Sequence, residues 1–232
     1  MSDVIDGPAY GIIVAAGRGE RMDGIDKVFA PLVGRPLVAW TIAAFQKCAA
    51  IDAVVVVAAP GAAGRMRQLI AEWRFTKVTA VVGGGASRQA SVRGGLTAAA
   101  DAAIVAVHDA ARPLVTPELI ATGVGLARET SAALCAVPSR DTVKEVAGQP
   151  PVVRATPDRA RMWLAQTPQV FSRALLMRAH DGVGGAATDD ASLVESLGHA
   201  VRVYEGAPSN FKVTTPEDLI VAEALLRARL AP

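Results

Sequence analysis

Five short apolar runs, rich in Val and Ile and bounded by Gly or Asp, recur along the first 137 residues. They occupy residues 11–14, 53–57, 78–82, 104–107 and 132–137. Because each run is apolar at consecutive positions, it is typical of a strand buried on both faces. Segments of helical length separate the runs, at residues 36–47, 64–73, 87–99 and 117–129. The alternation predicts an α/β fold with a doubly wound, mainly parallel sheet, which would bind ligands beyond the carboxyl ends of its strands.

The pattern changes after Val137. Residues 142–146 and 151–155 alternate apolar and polar positions across a Gly-Gln-Pro-Pro turn, which predicts a β-hairpin that protrudes as an arm over about residues 139–160. A second α/β stretch follows, with helices predicted at 172–179, 189–197 and 216–230 and strands at 201–204 and 211–213. Because no internal repeat or flexible linker divides the chain, residues 1–232 are predicted to form one domain.

The composition narrows the class of protein. Hydrophobic residues make up 51% of the 232 residues and charged residues 20%, with a net charge of +2, as in a compact globule. The basic residues are scattered, so we expect no nucleic-acid partner, and no stretch is long and apolar enough to predict a membrane span. The N-terminus lacks the basic region of an export signal, and Cys48 and Cys135 have no metal-binding spacing, which indicates a cytoplasmic protein without a disulfide or zinc site. Any metal would be a hard cation held by carboxylate and phosphate.

The loop after the first predicted strand is rich in small residues. Two known phosphate-binding patterns fail there, because Met22 stands where a dinucleotide fingerprint needs its third glycine and Gly24 is not followed by the lysine of a Walker loop. The backbone of this loop can still approach a polyphosphate closely, with Arg21 and Lys27 supplying positive charge. A tight turn with solvated charges is the alternative interpretation of the loop taken alone.

Six segments in register resemble one known family. The first is the loop A-A-G-R-G-E-R-M at residues 15–22, followed by Lys27. The others are G-G-G-A-S-R-Q-A-S-V at 83–92, H-D-A-A-R-P at 108–113, A-Q-T-P-Q at 165–169, T-D-D-A-S at 188–192 and N-F-K-V-T at 210–214. Together they resemble the 2-C-methyl-D-erythritol 4-phosphate cytidylyltransferases of the non-mevalonate isoprenoid pathway. The resemblance runs from about Gly11 to Leu226.

The resemblance implies a nucleotidyltransferase that uses CTP, a polyol phosphate and Mg²⁺, and that forms a homodimer in which the arm carries Arg159 to the neighbouring site. It assigns catalysis to Arg21, Lys27, Arg159 and Lys212. It assigns nucleotide binding to Ala15, Ala16, Gly17, Gly19, Gly85, Ser91 and Ala110. It assigns second-substrate binding to Asp109, Arg112, Thr142, Arg159, Thr167, Thr188 and Lys212, with Asp109 also the Mg²⁺ ligand. His108 is interpreted as structural.

The implied chemistry suits these residue types. A phosphate monoester with a second pKa near ~6 is already largely dianionic, so its attack on the α-phosphorus of CTP needs cations rather than a general base. The chain departs from the family pattern at Val14 and around Asp26, Lys27 and Val28, which affects the placement of Lys27 most. Two alternatives remain: a ribitol 5-phosphate cytidylyltransferase, and a non-catalytic nucleotide-binding regulator with the same fold.

Overall fold

The computed structural model describes residues 4–17, 27–182 and 187–231. Within these residues the strands are, in chain order, β1 (Ala9–Ala15), β2 (Pro31–Leu32), β3 (Arg35–Pro36), β4 (Ala53–Ala58), β5 (Val78–Gly83), β6 (Ile104–Asp109), β7 (Ala132–Pro138), β8 (Glu145–Ala147), β9 (Val152–Ala155), β10 (Trp163–Ser172) and β11 (Arg202–Glu205). The helices are α1 (Leu37–Lys47), α2 (Ala63–Glu72), α3 (Arg88–Ala98), α4 (Pro117–Thr130), α5 (Arg173–Gly182), α6 (Asp190–Ser196) and α7 (Pro216–Leu230). None of these helices is long and apolar enough to cross a membrane.

A seven-stranded sheet in the order β11-β7-β10-β6-β1-β4-β5 forms the centre of the molecule. Neighbouring strands are parallel except at β10, which runs antiparallel to both β6 and β7. The doubly wound, mainly parallel α/β fold is therefore confirmed, and so are the five early strands. The single-domain assignment stays a prediction.

The sequence pattern missed β10 and wrongly predicted a strand at 211–213. In β10, the polar run from Gln166 to Gln169 interrupts the apolar pattern, and the register against β7 shifts at this point. Residues 211–213 have no regular secondary structure and pair with no strand of the described chain. Their one backbone link to the sheet region is Val213 N–H, which donates to the carbonyl of Ala111 at 2.8 Å. A single hydrogen bond to a turn does not make a strand. The segment is apolar because Phe211 and Val213 pack in a hydrophobic cluster with Leu114 and Leu226, and this explains the wrong assignment.

The core lies in two layers because successive residues of each strand point to opposite faces of the sheet. Ile13 packs on the face covered by α1, α2 and α4, in the same cluster as Phe45. Ile12 packs on the other face with Leu96 and Phe171, under α3, α5 and α6. The buried sheet thus forms a rigid base on which the loops at its carboxyl edge are held.

The predicted hairpin is confirmed as β8 paired antiparallel with β9. All residues of both strands are exposed, including Val146, Val152 and Val153, each more than half exposed. A two-stranded hairpin with apolar side chains in water is marginally stable by itself. The arm therefore exposes an apolar surface that packing against a partner would bury.

Candidate active site

Two glycine-containing loops meet at the carboxyl edge of the sheet and enclose a cavity of about 650 Å³, called here the larger cavity. A methyl group built on Gly84 would overlap that of Ala16, and it would lie 3.1 Å from the Ser91 hydroxyl. Only glycine therefore lets the loop after β5 approach the loop after β1. The wall of this cavity includes Ala15, Ala16, Gly17, Lys27, Gly85, Arg88, Ser91, Asp109, Ala110 and Lys212.

Three hydrogen-bond donors of the loop after β5 are used within the protein. Gly84 N–H donates to the carbonyl of Ala58 at 2.8 Å, and Gly85 N–H donates to Ser91 Oγ at 3.1 Å. The Ser91 hydroxyl in turn donates to the carbonyl of Ser87 at 2.9 Å. The resemblance assigns Ser91 to nucleotide binding, but in this structure its hydroxyl fixes the loop. The two glycines therefore provide room for a ligand rather than hydrogen-bond donors to it.

Asp109 ends β6 and Arg112 lies on the turn that follows, and this turn is fixed through its backbone. Ala110 N–H donates to the carbonyl of Val14 at 3.0 Å, and Arg112 N–H donates to that of Asp109 at 3.0 Å. The Thr41 hydroxyl, on α1, donates to the carbonyl of Ala110 at 3.0 Å. These bonds tie the turn to β1 and to α1, so its side chains project from a rigid support.

The Asp109 carboxylate lies between two cations. Its Oδ2 is 2.8 Å from Lys212 Nζ, and its Oδ1 is 3.4 Å from Arg88 Nε. Burial by itself would raise the pKa of Asp109, but Lys212 and Arg88 outweigh it and lower the pKa to about 2. Asp109 is therefore fully ionised at neutral pH.

Arg88 is a site residue to which we assigned no role from the sequence. Its guanidinium Nη1 lies 2.8 Å from Oδ2 of Asp190, a residue that is 1% exposed. The other oxygen of Asp190 is 3.3 Å from Nε2 of the buried His180. Gln169 also fixes Asp190, because its side-chain oxygen accepts a hydrogen bond from the backbone N–H of Asp190 at 3.1 Å. The sequence contains two signals for this pair: the arginine of the segment at 83–92 and the second aspartate of T-D-D-A-S.

A second cavity of about 270 Å³, called here the smaller cavity, adjoins the larger one. Arg88, Asp109 and Lys212 line both cavities and so form a shared wall. Arg112 also lines the smaller cavity, and its Nη1 donates to the carbonyl of Asn210 at 2.8 Å. Burial lowers the pKa of Arg112, with Asp109 opposing that effect, but the group stays a cation at neutral pH. Three cationic side chains thus border a space sized for a small anion.

The structure brings together most of the residues assigned by the resemblance. Thr167 and Thr188 line the smaller cavity with Arg112 and Lys212. Thr142 and Arg159 are exposed at the base of the arm and line neither cavity, and Arg159 donates instead to the carbonyl of Arg140 at 2.9 Å. Two assigned positions, Gly19 and Arg21, lie outside the described residues.

The residues present fit a hard divalent cation bound together with phosphate. No group of three or more His, Cys, Asp or Glu side chains occurs within residues 4–17, 27–182 and 187–231, so these residues offer no all-protein metal cage. Asp109 does offer one ionised carboxylate at the shared wall. A single carboxylate completed by phosphate oxygens and water is the donor set that Mg²⁺ commonly takes in nucleotide sites.

Comparison with known proteins gives consistent matches over nearly the whole chain. Residues 10–228 match the family described as IspD: 2-C-methyl-D-erythritol 4-phosphate cytidylyltransferase. The enzyme of that name from Dehalococcoides mccartyi (strain CBDB1) is 44% identical over 216 residues, covering 93% of this chain and 95% of that protein. The one from Geobacillus kaustophilus (strain HTA426) is 43% identical over 224 residues, covering 95% and 97%.

Solved structures give the same match at the level of the fold. The crystal structure of 4-diphosphocytidyl-2C-methyl-D-erythritol synthase from Anaerococcus prevotii DSM 20548 superposes with a TM-score of 0.84 at 27% identity, covering 95% of this chain and 99% of that one. The 2-C-methyl-D-erythritol 4-phosphate cytidylyltransferase from Thermus thermophilus superposes with a TM-score of 0.77 at 37% identity, covering 93% and 98%.

Proposed function

Because the chain belongs to the 2-C-methyl-D-erythritol 4-phosphate cytidylyltransferase family, we propose that it transfers the cytidylyl group of CTP to 2-C-methyl-D-erythritol 4-phosphate. The products are 4-diphosphocytidyl-2-C-methyl-D-erythritol and pyrophosphate. The observation that carries the proposal is the shared wall, where Arg88, Asp109 and Lys212 separate a nucleotide-sized cavity from a smaller cationic one. Two phosphorylated substrates bound in the two cavities would meet there.

In the reaction, an oxygen of the polyol phosphate forms a bond to the α-phosphorus of CTP, and the bond from that phosphorus to the bridging oxygen of pyrophosphate breaks. The nucleophile is already ionised, so the protein has to hold two polyanions together and stabilise charge on the α-phosphoryl oxygens and the leaving group. We assign Lys27 and Arg21 to the triphosphate, with the backbone of residues 15–17 and 84–85 in close approach. Lys212 and Arg112 hold the attacking phosphate.

Asp109 would hold Mg²⁺, which when bound to phosphate oxygens neutralises charge on the triphosphate. Asp109 also orients Lys212, because its Oδ2 is bonded to the ammonium at 2.8 Å. The same carboxylate therefore serves both cavities. His108 takes no proton in this scheme, since it is fully buried and burial lowers its pKa to about 4.

We further propose that the working form is a homodimer held by the arm, with Arg159 acting in the partner's site. Two observations support this proposal: Arg159 lines neither cavity of its own chain, and the arm exposes Val146, Val152 and Val153. A two-fold axis would make the exchange of arms mutual. The two cysteines are free and buried, in keeping with the cytoplasmic location that we propose.

Subunit mixing tests the dimer. Arg159→Ala and Lys27→Ala should each be nearly inactive, and a fully exchanged equal mixture should recover about one quarter of wild-type activity, because half of the dimers then contain one intact site. Lys27→Ala mixed with Lys212→Ala is the matched control. Since both of those residues serve the site of their own subunit, no exchanged dimer contains an intact site. Recovery in the control, or none in the test pair after proven exchange, would refute the assignment of Arg159.

Pyrophosphate release by the wild-type protein tests the reaction itself. We expect release with CTP and 2-C-methyl-D-erythritol 4-phosphate, and much less with CTP and ribitol 5-phosphate. A reversed preference would identify a ribitol 5-phosphate cytidylyltransferase. CTP binding without release from either polyol phosphate would identify a non-catalytic nucleotide-binding protein.

A further inference from the structure

His108 belongs to the H-D-A-A-R-P segment but has no part in the chemistry described above. It is the penultimate residue of β6 and is fully buried. Its ring packs against that of Phe45, with ring centroids 5.4 Å apart. Both of its nitrogens nevertheless have polar partners in the turn after β6 and in β10. A buried histidine with two such partners fixes the direction of each hydrogen bond.

The first partner is the carbonyl of Arg112, 3.2 Å from His108 Nε2. A carbonyl oxygen can only accept, so Nε2 must carry the hydrogen. In the imidazole tautomer that carries its hydrogen on Nε2, Nδ1 presents a lone pair. Thr167 Oγ1 lies 3.0 Å from Nδ1, so the threonine hydroxyl must donate to it.

Thr167 Oγ1 also accepts the backbone N–H of Asp109 at 3.1 Å. The result is a directed chain from the Asp109 N–H to Thr167, from the Thr167 hydroxyl to His108, and from the His108 Nε2–H to the Arg112 carbonyl. One end of this chain is the last residue of β6 and the other lies on the turn that follows it. The residues at those ends carry the proposed Mg²⁺ ligand and a cation of the smaller cavity.

We infer that His108 and Thr167 form a positioning pair, which sets the backbone of Asp109 and of Arg112 and thereby aligns the two cavities. This inference rests on the proposed function. It also changes the role of Thr167. The resemblance assigns this residue to the second substrate, but in this structure its single hydroxyl hydrogen is donated to His108, and donation to a substrate phosphate would break that bond.

The two roles differ in what happens to CTP when the second substrate is absent. A positioning pair supports Asp109, so its loss should weaken the binding of CTP with Mg²⁺. A threonine that only contacts the polyol phosphate should leave that binding unchanged. The measurement is isothermal titration of CTP in the presence of Mg²⁺, together with the KM values for both substrates.

We expect Thr167→Val to weaken CTP–Mg²⁺ binding roughly tenfold, the equivalent of about one hydrogen bond, and to raise the KM of the polyol phosphate as well. Thr167→Ser, which keeps the hydroxyl, should recover most of the affinity. Thr122→Val, on an exposed face of α4, is the matched control and should bind CTP like the wild type. CTP affinity unchanged in Thr167→Val, with only the polyol phosphate KM raised, would overturn the inference.

Two further measurements test the pair, and the second needs no variant, so it does not depend on whether a variant folds. In the double variant His108→Asn/Thr167→Val, the loss of CTP affinity should be no larger than in the more affected single variant, because both act through one chain; additive losses would overturn the pair. In the wild-type protein, NMR of the imidazole nitrogens at neutral pH should show hydrogen on Nε2 and none on Nδ1. Hydrogen on Nδ1 would overturn the inference without any mutation. Failure of the proposed function is distinguishable, because it would appear in the wild type as absent CTP binding or turnover.

Discussion

Replacing Gly84 with alanine tests whether the close approach of two loops forms the nucleotide site. A methyl group at this position would overlap the methyl group of Ala16, and it would lie 3.3 Å from the Ala58 carbonyl oxygen on its other side. Ala58 belongs to β4, a strand whose residues are all buried, and it therefore resists displacement. The loop after β1, which carries Ala16 and Gly17, is the part that must move.

Restoring ordinary van der Waals contact between the two methyl carbons displaces that loop by more than about 1 Å, and a misplacement of about 1 Å in a site already costs about 100-fold in rate. Overpacking should also destabilise the protein by about 1–3 kcal/mol. The expected result for Gly84→Ala is a protein that still folds, with kcat/KM for CTP lowered on the order of 100-fold.

Gly94→Ala is the matched control. It lies on α3, where the nearest atom to an added methyl group is the Gly83 carbonyl oxygen at 3.9 Å. Since alanine favours a helix over glycine by up to about 1 kcal/mol, this variant should be as stable as the wild type or more so, with kcat/KM unchanged. Pyrophosphate release over a range of CTP concentrations and thermal unfolding measure both effects. Wild-type kcat/KM in Gly84→Ala would refute the claim that these loops enclose the triphosphate.

Three other substitutions test separate parts of the account. Asp109→Asn should lower turnover at least ~100-fold at limiting Mg²⁺ with the fold retained, because an amide cannot replace an anionic ligand. Near-native turnover of this variant would contradict the assignment of Asp109 as the Mg²⁺ ligand. Asp190→Ala should destabilise the protein by about 3–5 kcal/mol, because it leaves Arg88 without its buried partner. The control Asp181→Ala, which breaks the exposed ion pair with Arg93, should cost less than about 1 kcal/mol. Equal losses of unfolding free energy in the two variants, measured by denaturant unfolding, would contradict the argument from burial. Burial lowers the pKa of His108 in the folded protein to about 4, from 6.5 in the unfolded chain, so its contribution to stability is fully present above pH 6.5 and is lost as the pH falls to 4, by about 3 kcal/mol in all. His108→Gln should lack this part of the pH dependence of the unfolding free energy, measured by denaturant unfolding. An unchanged pH profile would show that His108 is not buried in its neutral form.

The hydropathy pattern predicted the sheet well because its parallel strands are buried on both faces and read as continuous apolar runs. It failed at β10, where Thr167 and its polar neighbours face the site instead of the core. It failed in the opposite sense at 211–213, where Phe211 and Val213 are apolar because they pack with Leu114, Ala222 and Leu226 in a third hydrophobic cluster, without pairing to a strand of the described chain. In β10 the site, and at 211–213 packing outside the sheet, decide which residues stand there.

The site was predictable where one short segment carries its own chemistry. Asp109, Arg112 and Lys212 were assigned from their motifs, and the structure brings them to one wall. The pairing of Arg88 with Asp190 could not be predicted, because the two residues are 102 positions apart and meet only through the packing of α3 and α6 around the sheet. The hydrogen-bond direction at His108 likewise depends on the placement of Thr167 by β10.

CTP and the polyol phosphate are proposed to meet across Asp109. The decisive measurement is a crystal structure of the protein with CTP and Mn²⁺, in which the metal is located by its anomalous scattering. We expect the triphosphate to lie between residues 15–17 and 84–88, with a manganese peak within about 2.2 Å of a carboxylate oxygen of Asp109. A triphosphate bound away from these loops, or a metal that does not contact Asp109, would contradict this proposal.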